Sequence, residues 1–227
     1  MPRHDRRRGS NAGINKGDAG DQIAMVAGNA DMPIINPGDA FRMVEFLAGD
    51  ANSIECFHGL RKGGPWREKS SRFVHGAITD RAITSKLDEW NLNDFDLYMT
   101  VHLVREGIKT NPKNGDIEKG RALFIDSDGG PRPNQWHLPP DFMIEREDDP
   151  DHNWWAFWII EEPFPADQIE RYQKRIAEQY GTDPSVSDAH RIIRLPGYIR
   201  YKHNEGPNKK NAAEGETIYR LIEGASP

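Results

Sequence analysis

The sequence predicts a domain of the α+β or α/β class, because helical and strand patterns are mixed along the chain and several strand patterns follow one another directly. Its 227 residues are enough for one domain with additional segments or for two small domains. The hydrophobic content is 36% and the mean hydropathy is -0.79. These low values predict that part of the chain lies in polar tails outside the core.

Composition and charge exclude several classes of protein. Cys56 is the single cysteine, so a disulfide framework and a cysteine-based zinc site are excluded within the chain. No apolar run approaches the roughly 20 residues that a membrane span needs, and the first residues lack the apolar stretch of a secretion signal. The net charge of -6 gives no overall attraction to nucleic acid. We therefore expect a soluble, cytoplasmic protein with no membrane partner.

The N-terminal segment and the first helix are predicted from turn and capping residues. Residues 1–35 are basic at the start and rich in glycine, asparagine and aspartate, which predicts a flexible arm. The folded domain is expected over residues 36–227. Asn36 is the predicted N-cap of its first helix, with Pro37 at the first helical position and Gly49 at the end.

The rest of the chain alternates between the two periodicities. The segment 154–160 is apolar on both faces, which is typical of a fully buried strand, and the helix after Pro165 carries an apolar stripe and ends at Gly181. The predicted order after the first helix is strand, strand, helix, strand, strand, strand, helix and strand, at 53–60, 72–78, 79–91, 95–104, 122–126, 154–160, 165–180 and 216–223.

A short apolar strand ends in Asp126-Ser127-Asp128 and two glycines, and this run is the first candidate site. Because side chains alternate along a strand, Asp126 and Asp128 are expected on one face and Ser127 on the other. Two carboxylates on one face form a hard oxygen site suited to Mg²⁺ or Mn²⁺. The same residues also favour a turn, and haloacid-dehalogenase-like phosphatases and some glycosyltransferases use Asp-x-Asp as well, so these alternatives stay open.

The segment from Gly181 to Lys202 is the second candidate site. Its spacing predicts that Arg191 and Arg194 lie on one face of a helix, and arginine forks suit the oxygens of a triphosphate. Surface ion pairs are the alternative explanation for each of these charges. The acidic candidates here are Asp183 and Asp188, and the basic candidates are His190, Arg191, Arg194, Arg200 and Lys202.

The order of these motifs resembles the catalytic domain of the RepB-type primases of plasmids and phages, a group within the archaeo-eukaryotic primase (prim-pol) superfamily. The likeness covers roughly residues 36–223. It is carried by the strand Tyr98–His102, by Leu123-Phe124-Ile125-Asp126-Ser127-Asp128-Gly129, by an aromatic strand, and by Asp-Pro-x-x-x-Asp-x-x-Arg-x-x-Arg-Leu-Pro-Gly-x-x-x-x-Lys over 183–202. The resemblance implies the prim-pol fold, an RRM-related mixed sheet flanked by helices.

The resemblance also implies an activity and a site. Asp126, Asp128 and Asp183 would be the catalytic carboxylates around two Mg²⁺ or Mn²⁺ ions, with Asp188 as the alternative to Asp183 for the third ligand. The implied reaction is primer synthesis from NTPs or dNTPs on a single-stranded DNA template in plasmid or phage replication. The nucleotide and the template would contact His190, Arg191, Arg194, Arg200 and Lys202.

The chain departs from the family pattern at several positions. The family has a histidine for the triphosphate where this chain has Trp154 or Trp155, the nearest histidine being His152. His102 stands where the family has an asparagine after the central strand, and Arg200 stands where an asparagine often precedes the final lysine. A catalytically inactive replication-initiation or DNA-binding module is therefore the alternative function.

Two further expectations concern partners and bases. The sequence contains no phosphate-binding loop of the Gly-x-x-x-x-Gly-Lys-Ser/Thr type, so a replicative helicase would be a separate partner or lie on a missing C-terminal region. Trp66 and Trp136 stand in polar loops and are the candidates for stacking on bases. The tryptophans of the 154–160 run are expected in the core.

Overall fold

The computed structural model describes residues 35–61, 69–127, 129–201 and 216–224. The α+β class is confirmed. The predicted arm lies almost wholly outside the described residues, and so do Trp66, Asp128 and Lys202. The elements are α1 (Pro37–Ala48), β1 (Glu55–Arg61), β2 (Ser70–Gly76), α2 (Arg81–Leu92), β3 (Asp96–Thr100), β4 (Leu103–Val104), β5 (Ile117–Asp126), β6 (Phe142–Arg146), β7 (Trp154–Pro165), α3 (Ile169–Tyr180), β8 (Ile192–Arg194), β9 (Ile199–Tyr201) and β10 (Glu216–Glu223).

The first two helices begin and end close to the predicted residues. Gly49 ends α1 in the left-handed conformation, with φ 72°, and its N–H donates to the Glu45 carbonyl. The predicted N-cap Asn36 makes no side-chain cap bond, because its amide instead donates to Asp39. Asp80 caps α2 by accepting from the backbone N–H of Ala82 at 2.8 Å. No helix of the described residues is long and apolar enough to cross a membrane.

The described strands form two sheets. The four-stranded sheet has the order β2-β1-β3-β8, and the six-stranded sheet has the order β4-β5-β7-β6-β10-β9. The paired strands run antiparallel. The chain crosses from the first sheet to the second twice, through Val101–His102 and through residues 195–198. The single central strand predicted over 95–104 is therefore wrong, because the first crossing divides it into β3 and β4.

The main core joins one face of each sheet with α1 and α2. Phe57 and Met99 of the four-stranded sheet, Phe124 and Phe157 of the six-stranded sheet, and Val44 of α1 are fully buried in it. Burying side chains of this size is the dominant stabilising contribution. Alternate residues of the four-stranded sheet therefore point away from this core.

Helix α3 covers the opposite face of the six-stranded sheet. Its fully buried positions are Ile169, Gln173 and Ala177, and the apolar residues of the predicted stripe flank them. The Gln173 amide bonds both the N–H and the carbonyl of Phe124, which fixes the helix to β5. The strand predicted over 154–160 is confirmed as part of β7, although Ile159 and Ile160 are only half-buried.

Candidate active site

A cleft of about 310 Å³ lies where the two sheets meet, and both sheets contribute side chains to it. Its wall combines one carboxylate with three guanidinium groups and several aromatic rings. An acid beside a group of arginines is the combination expected of a site for a metal-bound polyphosphate. Among the described residues, the charged and aromatic residues of the wall are Asp126, Arg191, Arg194, Arg200, Tyr98, Trp154, Trp155 and Tyr219.

Asp126 is the last residue of β5 and pairs with Trp155 of β7. Ser127 is buried, and its hydroxyl donates to the His152 carbonyl at 2.7 Å and accepts from the Trp154 N–H at 3.0 Å. Ser127 thereby fixes the end of β5 against the start of β7. Asp126 lines the cleft, and the chain then turns through Gly129 at φ 86°.

Arg194 lies between two tyrosine rings inside the cleft. The centre of its guanidinium is 4.9 Å from the ring centroid of Tyr98 and 5.4 Å from that of Tyr219. Nη1 is 3.4 Å from Oδ2 of Asp96. Burial alone would lower the pKa of Arg194, but the Tyr98 hydroxyl and the Asp96 carboxylate outweigh it and raise the pKa above its ordinary value. The group is therefore a fixed cation.

Arg191 and Arg200 reach the cleft from either side of Arg194. Nη2 of Arg191 donates to Oδ2 of Asp188 at 3.2 Å and to the Ser185 carbonyl at 3.1 Å, while its buried Nε has no hydrogen-bond partner among the described residues. Arg200 donates to the Tyr219 hydroxyl at 3.4 Å.

The helix predicted to carry Arg191 and Arg194 is wrong. Residues 192–194 form β8, because they pair with β3 through Thr100 opposite Ile192 and Tyr98 opposite Arg194. Arg191 lies just before this strand. A three-residue strand is fixed by its partner and leaves little pattern of its own in the sequence.

The Leu-Pro-Gly motif that follows Arg194 has a structural explanation. Gly197 has φ 80°, its N–H donates to the Tyr219 carbonyl at 2.7 Å, and its own carbonyl accepts from the Asn36 N–H at 2.8 Å. A Cβ at this position would lie 1.9 Å from the Asn36 carbonyl oxygen. Only glycine fits here, so this residue holds the crossing from β8 to β9 against the start of α1.

The two other acidic candidates lie beside the cleft wall residues rather than among them. Asp183 is exposed in a turn, and its carboxylate accepts from the N–H and the hydroxyl of Ser185, which lowers its pKa. Asp188 contacts Arg191 and so adjoins the cleft. Within the described residues no three His, Cys, Asp or Glu side chains are grouped to hold a metal. Asp126 lines the cleft, and its role as a metal ligand stays a prediction, as do those of the other carboxylates.

Several other predicted residues have structural positions. His190 is exposed, and its Nδ1 lies 2.6 Å from the Asn114 amide oxygen. His102 is fully buried, neither of its ring nitrogens has a partner among the described residues, and burial lowers its pKa to about 3. Trp136 packs against Trp154, Trp158 and Tyr180 and is therefore part of an aromatic cluster, not an open stacking platform.

Sequence reasoning did not identify Asp96, Tyr98 and Tyr219 as site residues. Asp96 is buried, its Oδ1 accepts from the Tyr201 N–H at 2.8 Å, and its Oδ2 faces Arg194. The sequence offered one signal for Asp96, because an aspartate at the start of an apolar strand is expected to be buried and a buried carboxylate needs a partner. The tyrosines gave no signal, because their place in the cleft depends on pairing between distant strands.

Residues 147–224 match the family described as the RepB DNA-primase N-terminal domain. The fold is similar to the AEP domain of the cyanophage S-2L primase-polymerase, with a TM-score of 0.57 and 14% identity over 84% of this chain and 91% of that chain. This similarity confirms the predicted prim-pol fold. No curated protein sequence matches significantly.

Two solved structures of the primase RepB′ are also similar to this chain. One matches with a TM-score of 0.47 and 17% identity, over 82% of this chain and 56% of that chain. The other, a catalytic domain in complex with initiator DNA, matches with a TM-score of 0.41 and 18% identity, over 70% of this chain and 77% of that chain.

Proposed function

Since the family match and the fold support a RepB-type primase-polymerase domain in this chain, we propose that the cleft joins nucleotides into a primer on single-stranded DNA. The observation that carries the proposal is the meeting of Asp126 with Arg191, Arg194 and Arg200 in one cleft. The three arginines come from one short segment, residues 191–200, whereas Asp126 ends β5 much earlier in the chain. Their convergence is what transfer of a triphosphate-bearing substrate requires.

Each charged group has a role in this reaction. The 3′-hydroxyl of one nucleotide attacks the α-phosphate of the next, a P–O bond forms, and pyrophosphate leaves as the bond between the α- and β-phosphates breaks. The guanidinium groups of Arg191, Arg194 and Arg200 neutralise the charge on the triphosphate oxygens. The rings of Tyr98 and Tyr219 keep Arg194 in position.

The proposal includes a divalent metal ion, because carboxylate oxygens at the cleft are the ligands that such an ion prefers. Asp126 presents a carboxylate to the cleft, and Asp128 would add the second from the same strand end. Bound Mg²⁺ or Mn²⁺ would supply activation of the attacking hydroxyl and stabilisation of the leaving oxygens. The third carboxylate is proposed from Asp188 or Asp183, of which Asp188 contacts a residue of the cleft wall.

The test is primer synthesis by the full chain on single-stranded DNA with labelled nucleotides and Mn²⁺ or Mg²⁺. We expect products that lengthen on the template. Asp126→Asn should lower the rate by at least about 1000-fold, because it removes a metal ligand that acts on the transition state. Asp167→Asn, on a turn away from the cleft, is the matched control and should keep the wild-type rate.

An inactive DNA-binding module is the second candidate function, favoured by a tryptophan, Trp154 or Trp155, where the family is expected to have a histidine. Trp155 lines the cleft and stacks on Phe124 with ring centroids 5.8 Å apart, and its indole cannot become the cation that a protonated histidine can. Binding of single-stranded DNA without synthesis in either metal would favour this module. Synthesis that is abolished by Asp126→Asn would exclude it.

A further inference from the structure

The four-stranded sheet has a second face that the proposed chemistry does not use. Phe57, Leu97, Met99 and Ile193 point into the core from one face. Leu60 pairs with Ser71 of β2 and with Asp96 of β3. Because side chains alternate along a strand, Leu60, Ser71 and Asp96 lie on the other face of the sheet, and so do Phe73 and Tyr98. We call the part of this second face formed by Leu60, Lys69, Ser71, Phe73 and Tyr98 the open face.

The open face is continuous with the cleft. Leu60 and Tyr98 line the cleft, and they also line a second groove of about 510 Å³ together with Lys69, Ser70 and Ser71. A chain of nucleotides that starts at the cleft can therefore continue along β1 and β2 without leaving the protein surface.

Phe73 is the unusual residue of the open face. It is 41% exposed, although its neighbour Val74 packs against the core. The ring of His75 lies edge-on to it, with centroids 6.2 Å apart and planes at 80°, and His75 is itself placed 3.3 Å from the Thr110 carbonyl. A large aromatic ring that is positioned by a neighbouring ring and exposed on a sheet face is suited to stacking on a flat ligand.

The polar groups of the open face fit a phosphodiester chain. Lys69 is an exposed cation, and Ser71 adds an exposed hydroxyl beside it. Asp96 also lines the groove, but its carboxylate is occupied by Arg194 and by the Tyr201 N–H. The combination of an exposed ring, an apolar residue and a cation is typical of surfaces for single-stranded nucleic acid, whose bases are free to stack.

We propose that the open face binds the single-stranded template as it leaves the cleft, with Phe73 stacking on a base and Lys69 contacting a phosphate. The proposal rests on the proposed function for the identity of the strand as template. It adds a separate surface, because none of the residues Lys69, Ser71 and Phe73 lines the cleft.

The test measures binding of the full chain to a labelled oligothymidylate by fluorescence anisotropy. Phe73→Leu keeps an apolar side chain but removes the ring, and we expect its affinity to fall about 5- to 50-fold. Phe73→Trp should stay within about twofold of wild type, since the indole also stacks. Leu92→Ala, at an apolar position of α2 that is even more exposed than Phe73, is the control and should bind as wild type does.

The salt dependence of the same affinity tests Lys69. Loss of one phosphate contact should reduce the slope of log K against log salt by about 0.7 in Lys69→Ala, because single strands release counterions in that proportion. Lys86→Ala, an exposed lysine of α2, should leave the slope unchanged.

The outcomes separate this inference from the proposed function. In primer synthesis, Phe73→Leu should raise the template concentration that gives half-maximal rate while the KM for nucleotide stays unchanged. Equal affinity of wild type and Phe73→Leu for the oligonucleotide would overturn the inference, whether or not wild type makes primers. Wild type that binds through Phe73 but makes no primer would overturn only the proposed function.

Discussion

Two arginines, Arg121 and Arg194, each face a buried carboxylate, but they differ in where their N–H donors are directed. Arg121 of β5 donates two hydrogen bonds of 2.7 Å to Glu55 of β1, and its Nε donates to the Val101 carbonyl at 2.6 Å. The side chains of Arg121 and Glu55 are 3% and 4% exposed. The pair joins the two sheets, and its donors are directed at the protein.

Arg194 is arranged differently. It contacts one oxygen of Asp96 at 3.4 Å, its guanidinium lies over the rings of Tyr98 and Tyr219, and its side chain is 14% exposed. Stacked rings position a guanidinium without using its N–H donors. Arg121 therefore uses its donors within the protein, whereas Arg194 lies beside the cleft, where the proposed function assigns its donors to a ligand.

The largest expected effect is on the buried pair. Arg121→Met leaves the Glu55 carboxylate without its partner in the core and should lower the free energy of unfolding by about 3–5 kcal/mol. Urea denaturation followed by circular dichroism measures this. The double variant Glu55→Leu/Arg121→Met should recover much of the loss, since no unpaired charge remains. A loss below about 1 kcal/mol in the single variant would contradict the structural role.

Acid should act on a buried histidine on the other face of the four-stranded sheet. His58 lies 2.8 Å from the Thr100 hydroxyl, and burial, with smaller contributions from His75 and His190, lowers its pKa to about 4. Unfolded His58 binds a proton below pH ~6.5, so the unfolded state holds more protons between these values and stability falls as the pH falls through that range. The contribution of His58 is roughly 3 kcal/mol at most.

Denaturant midpoints across this pH range measure the effect of His58. His58→Gln keeps a group that can bond the Thr100 hydroxyl but does not titrate, so its stability should change less between pH ~7 and ~4 than that of wild type. The buried His102 titrates lower and remains in both proteins. Parallel pH profiles for wild type and His58→Gln would show that His58 does not contribute to acid sensitivity.

The sequence predicted the local elements better than their arrangement. The helix from Pro37 to Gly49 and the last strand were predictable because proline, glycine and alternating apolar residues act over a few positions. The sequence did not predict the strand β6, because its short apolar run lies within an acidic stretch that is typical of a solvated segment. The division of the central strand at Val101–His102 depends on pairing with distant residues, which no local pattern records.

The candidate site was predictable to a similar extent. Asp126, Arg191, Arg194 and Arg200 were identified by residue type and motif order, and the structure brings these four into one cleft. The supporting residues were not identified. Asp96 and the two tyrosines act through Arg194, and their place depends on β3, β8 and β10 meeting in space. Residue chemistry can be predicted from a motif, whereas the groups that orient it require the fold.

The smallest expected effect is that of replacing Arg194 by lysine. Arg194→Lys keeps the positive charge but removes the planar fork and much of the stacking on Tyr98 and Tyr219, so kcat/KM for nucleotide should fall about 10- to 100-fold, or about 1.4–2.8 kcal/mol. The free energy of unfolding should change by less than about 1 kcal/mol, because Asp96 keeps a cation beside it. The measurements are primer synthesis at varied nucleotide concentration and urea denaturation.

Arg171→Lys is the matched control, since Arg171 lies over the Tyr172 ring at 4.9 Å on α3, outside the cleft, and should keep the wild-type kcat/KM. If Arg194→Lys instead lost stability as Arg121→Met does and kept its kcat/KM, the two arginines would share one structural role and the contrast between them would fail.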